Sequence, residues 1–203
     1  MEQKKQKGLL LVLSGPSGAG KGTVCAAVRN SEDVSIEYSI SATTRNPRDG
    51  EVHGREYFFY DKETFEQLRE QGGFLEWAQV YDNYYGTPRQ YVEEVLERGN
   101  DCILEIDPQG AFQVRAAWPE AILIFIAPPS LEELRSRLSG RGTESAEEME
   151  KRLSCALEEL EQRSKYDYVI VNDDVTAAAN KLKAILVAEK CRSWRNCDDA
   201  LSK

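Results

Sequence analysis

Histidine is almost missing from this chain: His53 is the only one among 203 residues. A histidine-based triad, or a metal site with several imidazoles, would have to rest on that one side chain. Cysteine offers little more. The five, at positions 25, 102, 155, 191 and 197, are odd in number and form no CxxC pair, so neither a disulfide framework nor a zinc ribbon is indicated. Positive charge is short as well: 26 Lys and Arg against 35 Asp and Glu leave a net charge of −9. Such a chain does not favour a polyanion, which speaks against general nucleic-acid binding, and any phosphate must be met by a local basic pocket. No apolar stretch approaches the roughly 18–20 residues that a membrane span needs. The N-terminal MEQKKQKGLLLVLSG has basic residues and a short apolar run, but it leads into a glycine loop instead of a small-residue cleavage site. The expectation is a cytoplasmic α/β protein with no protein-built metal site.

What is present is ordinary globular composition, 41% apolar and 30% charged, in a length that suits one elaborated domain. Four apolar runs, residues 9–13, 102–106, 121–127 and 168–171, read as strands buried on both faces, and each ends at glycine, proline or acidic residues. Helical patterns lie between and after them, over 87–98, 130–138, 146–164 and 175–194. Pro108 and Gly110 read as breakers after the second run. Strands alternating with helices predict a parallel sheet with covering helices, with ligands along the edge where the strands end. Residues 35–86 depart from this rhythm. They are rich in Tyr, Phe, Thr and Gly and read as a small inserted sheet, whereas 139–148 read as a mobile loop.

Between the first run and the first helix stands Gly15-Pro16-Ser17-Gly18-Ala19-Gly20-Lys21, a match to GxxxxGK. Glycines let the backbone curl so that several N–H groups point at phosphate oxygens, and the following helix aims its positive dipole end there. Lys21 adds a point charge on the β- and γ-phosphates. The Ser or Thr that usually follows the lysine, and whose hydroxyl touches Mg²⁺, is replaced by Gly22, with Thr23 next. Magnesium is then expected to be held mainly by nucleotide and water, with Thr23 or Glu105 nearby. Glu105 and Asp107, two apart at the end of a strand, are expected to face the same side.

Residues 39–59 contain Arg45 and Arg48, three apart and separated by a proline, with Ser39 and Tyr57 in the same polar stretch. They read either as a cage for a second phosphate or as a solvated arginine turn. Here the chain resembles the guanylate kinase family. The pattern SxTTRxPRxGExxGxxYxF is followed in order by GGFLEWAQVYDNYYGTP, ILEIDPQGA, RLSGRGTES and YDYVIVNDD, across nearly the whole chain. The resemblance implies a three-layer P-loop NTPase core with a parallel sheet (1–36, 89–136 and 158–203), an inserted small mixed-sheet GMP-binding region (37–88) and a lid (137–157). It implies transfer of the γ-phosphoryl group from ATP to GMP, and to dGMP, with Mg²⁺ as cofactor and no obligate protein partner. Residues Gly15 to Thr23 would hold ATP, with Asn172 near the adenine. Ser39, Arg45, Arg48, Tyr57 and Tyr85 match positions that bind the GMP phosphate, and Glu76, Thr87 and Asp107 match those that read guanine. Arg137, Arg141 and Arg152 match lid arginines, which with Lys21 and Arg45 would carry the catalytic contacts.

Two other functions are compatible with parts of this pattern. One is a related kinase with another acceptor, such as a ribose bisphosphate, against which Glu76 and Thr87 argue. The other is a guanylate-kinase-like module that binds a phosphorylated peptide through the arginine cage. Such modules lose P-loop or lid residues, whereas Lys21, Arg137, Arg141 and Arg152 are all present here, and no SH3-like domain fits in this length. His53 reads as a surface residue, and the cysteines as packing residues.

Overall fold

The structure is a computed structural model, and it describes residues 6–29, 31, 34–139 and 146–196. Strand β1, Leu10–Ser14, is buried at every position, as an unbroken apolar run demands of a strand covered on both faces. Helix α1, Lys21–Arg29, follows the glycine loop and buries Val24, Cys25 and Val28, a spacing of one face. The chain continues through β2 (Ile36–Tyr38), β3 (Ala42–Thr43), β4 (Phe58–Phe59), α2 (Lys62–Glu70), β5 (Phe74–Val80), β6 (Asn83–Pro88) and α3 (Arg89–Glu97). Then come β7 (Asp101–Glu105), α4 (Pro108–Ala117), β8 (Ile122–Ala127), α5 (Leu131–Ser139) and α6 (Ala146–Glu161). A 3-10 turn, Gln162–Lys165, leads to β9 (Tyr168–Val171), α7 (Val175–Lys190) and the short α8 (Ser193–Asn196).

Five strands form a parallel sheet in the order β2-β7-β1-β8-β9, and four form a separate mixed sheet in the order β4-β3-β6-β5. In the second sheet β3 runs parallel to β4 and antiparallel to β6, which is antiparallel to β5. The α/β class follows the alternation in the sequence. Among the described residues, no helix is long and apolar enough to cross a membrane.

By contacts the chain divides into two compact units. One takes the chain up to Val12 with Ile36–Leu104 and Gln109–Ala121; the other takes Leu13–Ser35, Glu105–Pro108 and the chain from Ile122 onward. The first unit holds the mixed sheet, whose centre is aromatic: Phe65 of α2, fully buried, stacks on Phe74 at 4.3 Å and on Tyr84 at 5.4 Å between ring centroids. Aromatic pairs at this spacing add about 0.5–1.5 kcal/mol each beyond area burial. Also in this unit β2 pairs with β7 from Ile36↔Asp101 to Tyr38↔Ile103. In the second unit β8 pairs with β9 in parallel register, and α1 packs on α7. Leu134 and Leu138 of α5 bury against Ala156 of α6, with Met149, Leu153 and Leu160 around them.

Several local expectations are corrected. Residues 36–38 belong to the parallel sheet, not to the inserted one, because their backbone pairs with β7. A helix, α2, lies within the aromatic-rich region, started by Asp61, whose carboxylate accepts from the Thr64 N–H at 2.7 Å. Pro108 does not break the chain into a turn but opens α4, since proline fits the first helical turn, where an N–H has no partner anyway. Thr87 is the end of a strand and not the start of a helix. The long last helix stops at Lys190, with Cys191 as its C-cap. Residues 140–145 of the expected loop lie outside the described residues.

Candidate active site

The glycine loop between β1 and α1 is made possible by backbone geometry that side chains rarely adopt. Gly15 has φ +141° and Gly20 φ +86°. A Cβ on Gly15 would lie 2.1 Å from the Ile126 carbonyl oxygen, and one on Gly20 would lie 2.4 Å from Nδ2 of Asn172. Neither position can carry a side chain, so the loop is pressed against β8 and against Asn172, the residue after β9. Asn172 holds it there: its Nδ2 donates to the Ala19 carbonyl at 2.8 Å, and its own N–H donates to Ala127 at 2.8 Å. The other side-chain atom of Asn172, Oδ1, is buried with no hydrogen-bond partner.

Around the loop opens a pocket of about 720 Å³, lined by Pro16, Ser17, Gly18, Gly20, Lys21, Gly22, Thr23, Glu105, Arg137, Asn172 and Val175. That size suits a nucleotide-scale ligand. Gly15 and the fully buried Ala19 are the two loop residues outside its lining. Lys21 curls back over the loop and donates to the carbonyls of Gly15 at 2.5 Å and Pro16 at 3.3 Å. Burial pushes the Lys21 ammonium below its ordinary pKa of 10.5, while Glu105, Glu159, Cys25 and Asp107 pull the other way. Glu159 of α6 answers in kind: burial raises its pKa, and Lys21 lowers it.

Two of the three expected lid arginines stand against this loop. Arg137 of α5 donates from Nε to Glu133 at 2.8 Å and from Nη2 to the Asn172 carbonyl at 3.3 Å. Arg152 of α6 donates to the Ser17 hydroxyl at 3.1 Å. Arg141 lies outside the described residues. Asp107 lies beyond the end of β7, so strand alternation does not set its direction, as the spacing from Glu105 had suggested. Its carbonyl accepts from the Ser14 hydroxyl at 3.4 Å.

The remaining expected residues stand in the other unit, in two groups. Arg45 is the centre of the first. Its Nη2 meets both oxygens of Glu51 at 3.0 and 2.9 Å, its Nη1 donates to the Asn46 carbonyl at 2.7 Å, and its guanidinium lies 5.5 Å from the Tyr57 ring centroid. Tyr57 meets Tyr85 edge-on at 6.2 Å. A hydrogen bond from the Arg48 N–H at 2.8 Å, helped by the Arg45 guanidinium, outweighs burial and holds the Glu51 carboxyl below the usual carboxylate range. The Arg45 side chain is thus held in place, whereas Arg48 is exposed and meets Glu51 through its backbone N–H. Ser39 donates its N–H to Ile103, and its hydroxyl oxygen is buried with no partner. The second group is Glu76 and Thr87, register partners on β5 and β6; the Thr87 hydroxyl donates to Glu76 Oε1 at 2.6 Å, and both residues are buried. His53 is exposed, as expected, and its Nδ1 accepts from the Phe59 N–H at 3.1 Å. Cys25 and Cys102 are buried, and Cys155 and Cys191 exposed.

Sequence reasoning passed over two acids that hold the arginines. Glu51 stands inside the arginine motif, so its signal was present without a role. Glu133 lies four residues before Arg137, the helical spacing of an ion pair.

Among the described residues, no three or more His, Cys, Asp or Glu side chains gather as a metal cage. A Cβ at Gly22 would stand 3.6 Å from both oxygens of Glu105. The donor set thus fits an ion carried in on phosphates and flanked by one carboxylate, and it does not fit a self-standing site.

The chain is similar to known proteins over nearly its whole length. The family model described as guanylate kinase matches residues 7–189. A guanylate kinase of Caldanaerobacter subterraneus subsp. tengcongensis is 57% identical, over 96% of this chain and 94% of its own. One from Bacillus subtilis is 53% identical, over 94% of each. Among solved structures, a guanylate kinase from Anaplasma phagocytophilum covers 94% of this chain and 90% of its own, at 38% identity and a TM-score of 0.71.

Proposed function

The chain belongs to the guanylate kinase family, and from that premise we propose that it moves the γ-phosphoryl group of ATP to the phosphate of GMP, or of dGMP, with the residues above dividing the work. ATP lies along the loop from Gly15 to Thr23. Lys21 exchanges its two carbonyl partners for phosphate oxygens, and Asn172 offers its partnerless Oδ1 to the adenine end. Arg45, Arg48, Tyr57, Tyr85 and Ser39 take the GMP phosphate. Glu76, Thr87 and Asp107 read the base.

The observation that carries the acceptor is Glu76, a carboxylate 8% exposed that accepts from the Thr87 hydroxyl. A carboxylate has about four acceptor positions, and guanine offers N1–H and its 2-amino group side by side. Adenine offers no such pair, and a site built on hydrogen bonds rejects a ligand lacking them by up to ~10⁴–10⁵. Phosphoryl transfer asks the protein mainly for positioning and charge, because the acceptor oxygen is already anionic. Arg137, Arg141 and Arg152 meet charge that develops on the transferred group, in a lid formed from residues 137–157, and closure over the substrates excludes water. Mg²⁺ would sit with the nucleotide phosphates beside Glu105 and Thr23, where it would neutralise charge between the β- and γ-oxygens.

The test is ADP release with Mg-ATP and, separately, GMP, AMP, CMP, UMP and a ribose bisphosphate. Rapid turnover with GMP and not with the others is expected. Equal or faster turnover with another acceptor would refute the base assignment, and no turnover despite GMP binding would refute the transfer itself.

A further inference from the structure

Strand β5 stands at the end of its sheet, next to β6. An edge strand turns a row of N–H and C=O groups outward. At Trp77 those groups are met by one side chain. Gln113 of α4 accepts the Trp77 N–H on Oε1 at 3.1 Å and donates from Nε2 to the Trp77 carbonyl at 3.0 Å. A single carboxamide thus does for this residue what a neighbouring strand would do. The indole is held as well: the Arg69 guanidinium lies 4.9 Å from its centroid, and Tyr84 meets it edge-on at 6.0 Å.

The residue before Trp77 is Glu76. On its other side the β5–β6 register shifts between Phe74 and Glu76, and such irregularities loosen the ladder locally. Glu76 therefore sits between a loosened stretch and a clamped peptide. Its carboxylate is fixed by Thr87, and its backbone by Gln113.

We propose that Gln113 is a positioning residue for base recognition: it fixes the peptide after Glu76, and with it the angle at which that carboxylate meets guanine. The inference rests on Glu76 as the base reader. Hydrogen bonds weaken steeply as their angle departs from linear, so a small swing of this strand costs discrimination first. The clamp is exposed to solvent, so its loss does not unfold the protein.

The test uses the full chain with GMP and with IMP, which keeps N1–H but lacks the 2-amino group. Gln113→Ala is expected to narrow the GMP:IMP ratio of kcat/KM by about three- to tenfold, the worth of roughly one net hydrogen bond. The KM for ATP should stay unchanged. Gln113→Glu, which keeps the acceptor for the Trp77 N–H, should lie between. On a Glu76→Gln background, Gln113→Ala should have little further effect on the ratio. In the parent protein, the Trp77 amide should exchange with solvent slowly for an edge strand.

If Glu76→Gln itself leaves the GMP:IMP ratio unchanged, the reading of Glu76 falls. If Glu76→Gln narrows the ratio while Gln113→Ala does not, the positioning role falls alone. An equal loss with both nucleotides, or only a lower Tm, would mark Gln113 as structural and overturn the proposal. So would fast exchange at Trp77, which needs no variant.

Discussion

Replacing Asn172 by alanine should both loosen the fold and weaken ATP binding. The amide Nδ2 is the donor that the buried Ala19 carbonyl accepts at 2.8 Å, and Asn172 is 3% exposed. Alanine leaves that carbonyl without its partner. The cost of an orphaned buried acceptor is about 1–3 kcal/mol. The vacated space borders the pocket around the loop, where water can take up part of the lost bond, so the low end of that range applies and no cavity penalty is added. For a chain of this length each kcal/mol moves Tm by about 2–4 °C, so at about 1 kcal/mol a fall of roughly 2–4 °C is expected. The KM for ATP should rise, because the loop would lose the strut that holds Ala19 and Gly20 against the end of β9. The KM for GMP should not change. Differential scanning calorimetry without nucleotide and steady-state kinetics with each substrate varied in turn give both readings. Asn172→Asp has the same shape but sets a carboxylate against the Ala19 carbonyl, and should lose more. A Tm within about 1 °C of the parent would refute the strut. If the KM for ATP still rose, Asn172 would act on the adenine alone, as the family resemblance by itself implies.

Glu51→Gln should raise the KM for GMP several-fold and leave that for ATP alone, because Arg45 would lose the carboxylate that holds its Nη2; an unchanged KM for GMP in steady-state assays would show that the cage organises itself. The pH profile of kcat/KM for ATP tests Lys21. On the proposed reading its ammonium is the form that would meet phosphate, and burial lowers its pKa from 10.5. The alkaline limb, which reports the free enzyme, should therefore fall below that value, with activity lost as pH rises through the lowered pKa. Glu105→Gln removes a carboxylate that favours the ammonium and should move the limb further down; a shift upward would refute the electrostatic account.

The parallel sheet and the phosphate loop were legible because their signals are local. An apolar run ending at glycine or proline marks a buried strand, and GxxxxGK between strand and helix marks the loop. The missed elements had conflicting local signals. Pro108 and Gly110 are breakers in most contexts, yet Pro108 occupies the one helical turn that tolerates it. The aromatic residues of 57–85 suggested only strands, although Phe65 sits on a helix that Asp61 caps. Residues 36–38 have the composition of the region that follows, and only pairing with β7 assigns them. In the candidate site the cations and the acids proposed to read the base were visible through family resemblance. Their supports were less so. Gln113 meets Trp77 across 36 positions, and Asn172 meets Ala19 across 153, so no spacing rule reaches them.

The partners of Lys21, Arg45 and Arg137 imply how each would move on the proposed reading. Lys21 rests on two backbone carbonyls, which are neutral acceptors. Arg45 and Arg137 each meet a carboxylate. A phosphate adds charge–charge attraction that a neutral carbonyl lacks. On that reading an arriving phosphate draws Lys21 off its carbonyls. On the same reading Arg45 keeps Glu51 on Nη2 and receives phosphate on its other N–H groups. A guanidinium has five such donors in a fixed fork, enough to serve both. A position that must keep an anchor while it takes a ligand thus suits arginine for a geometric reason.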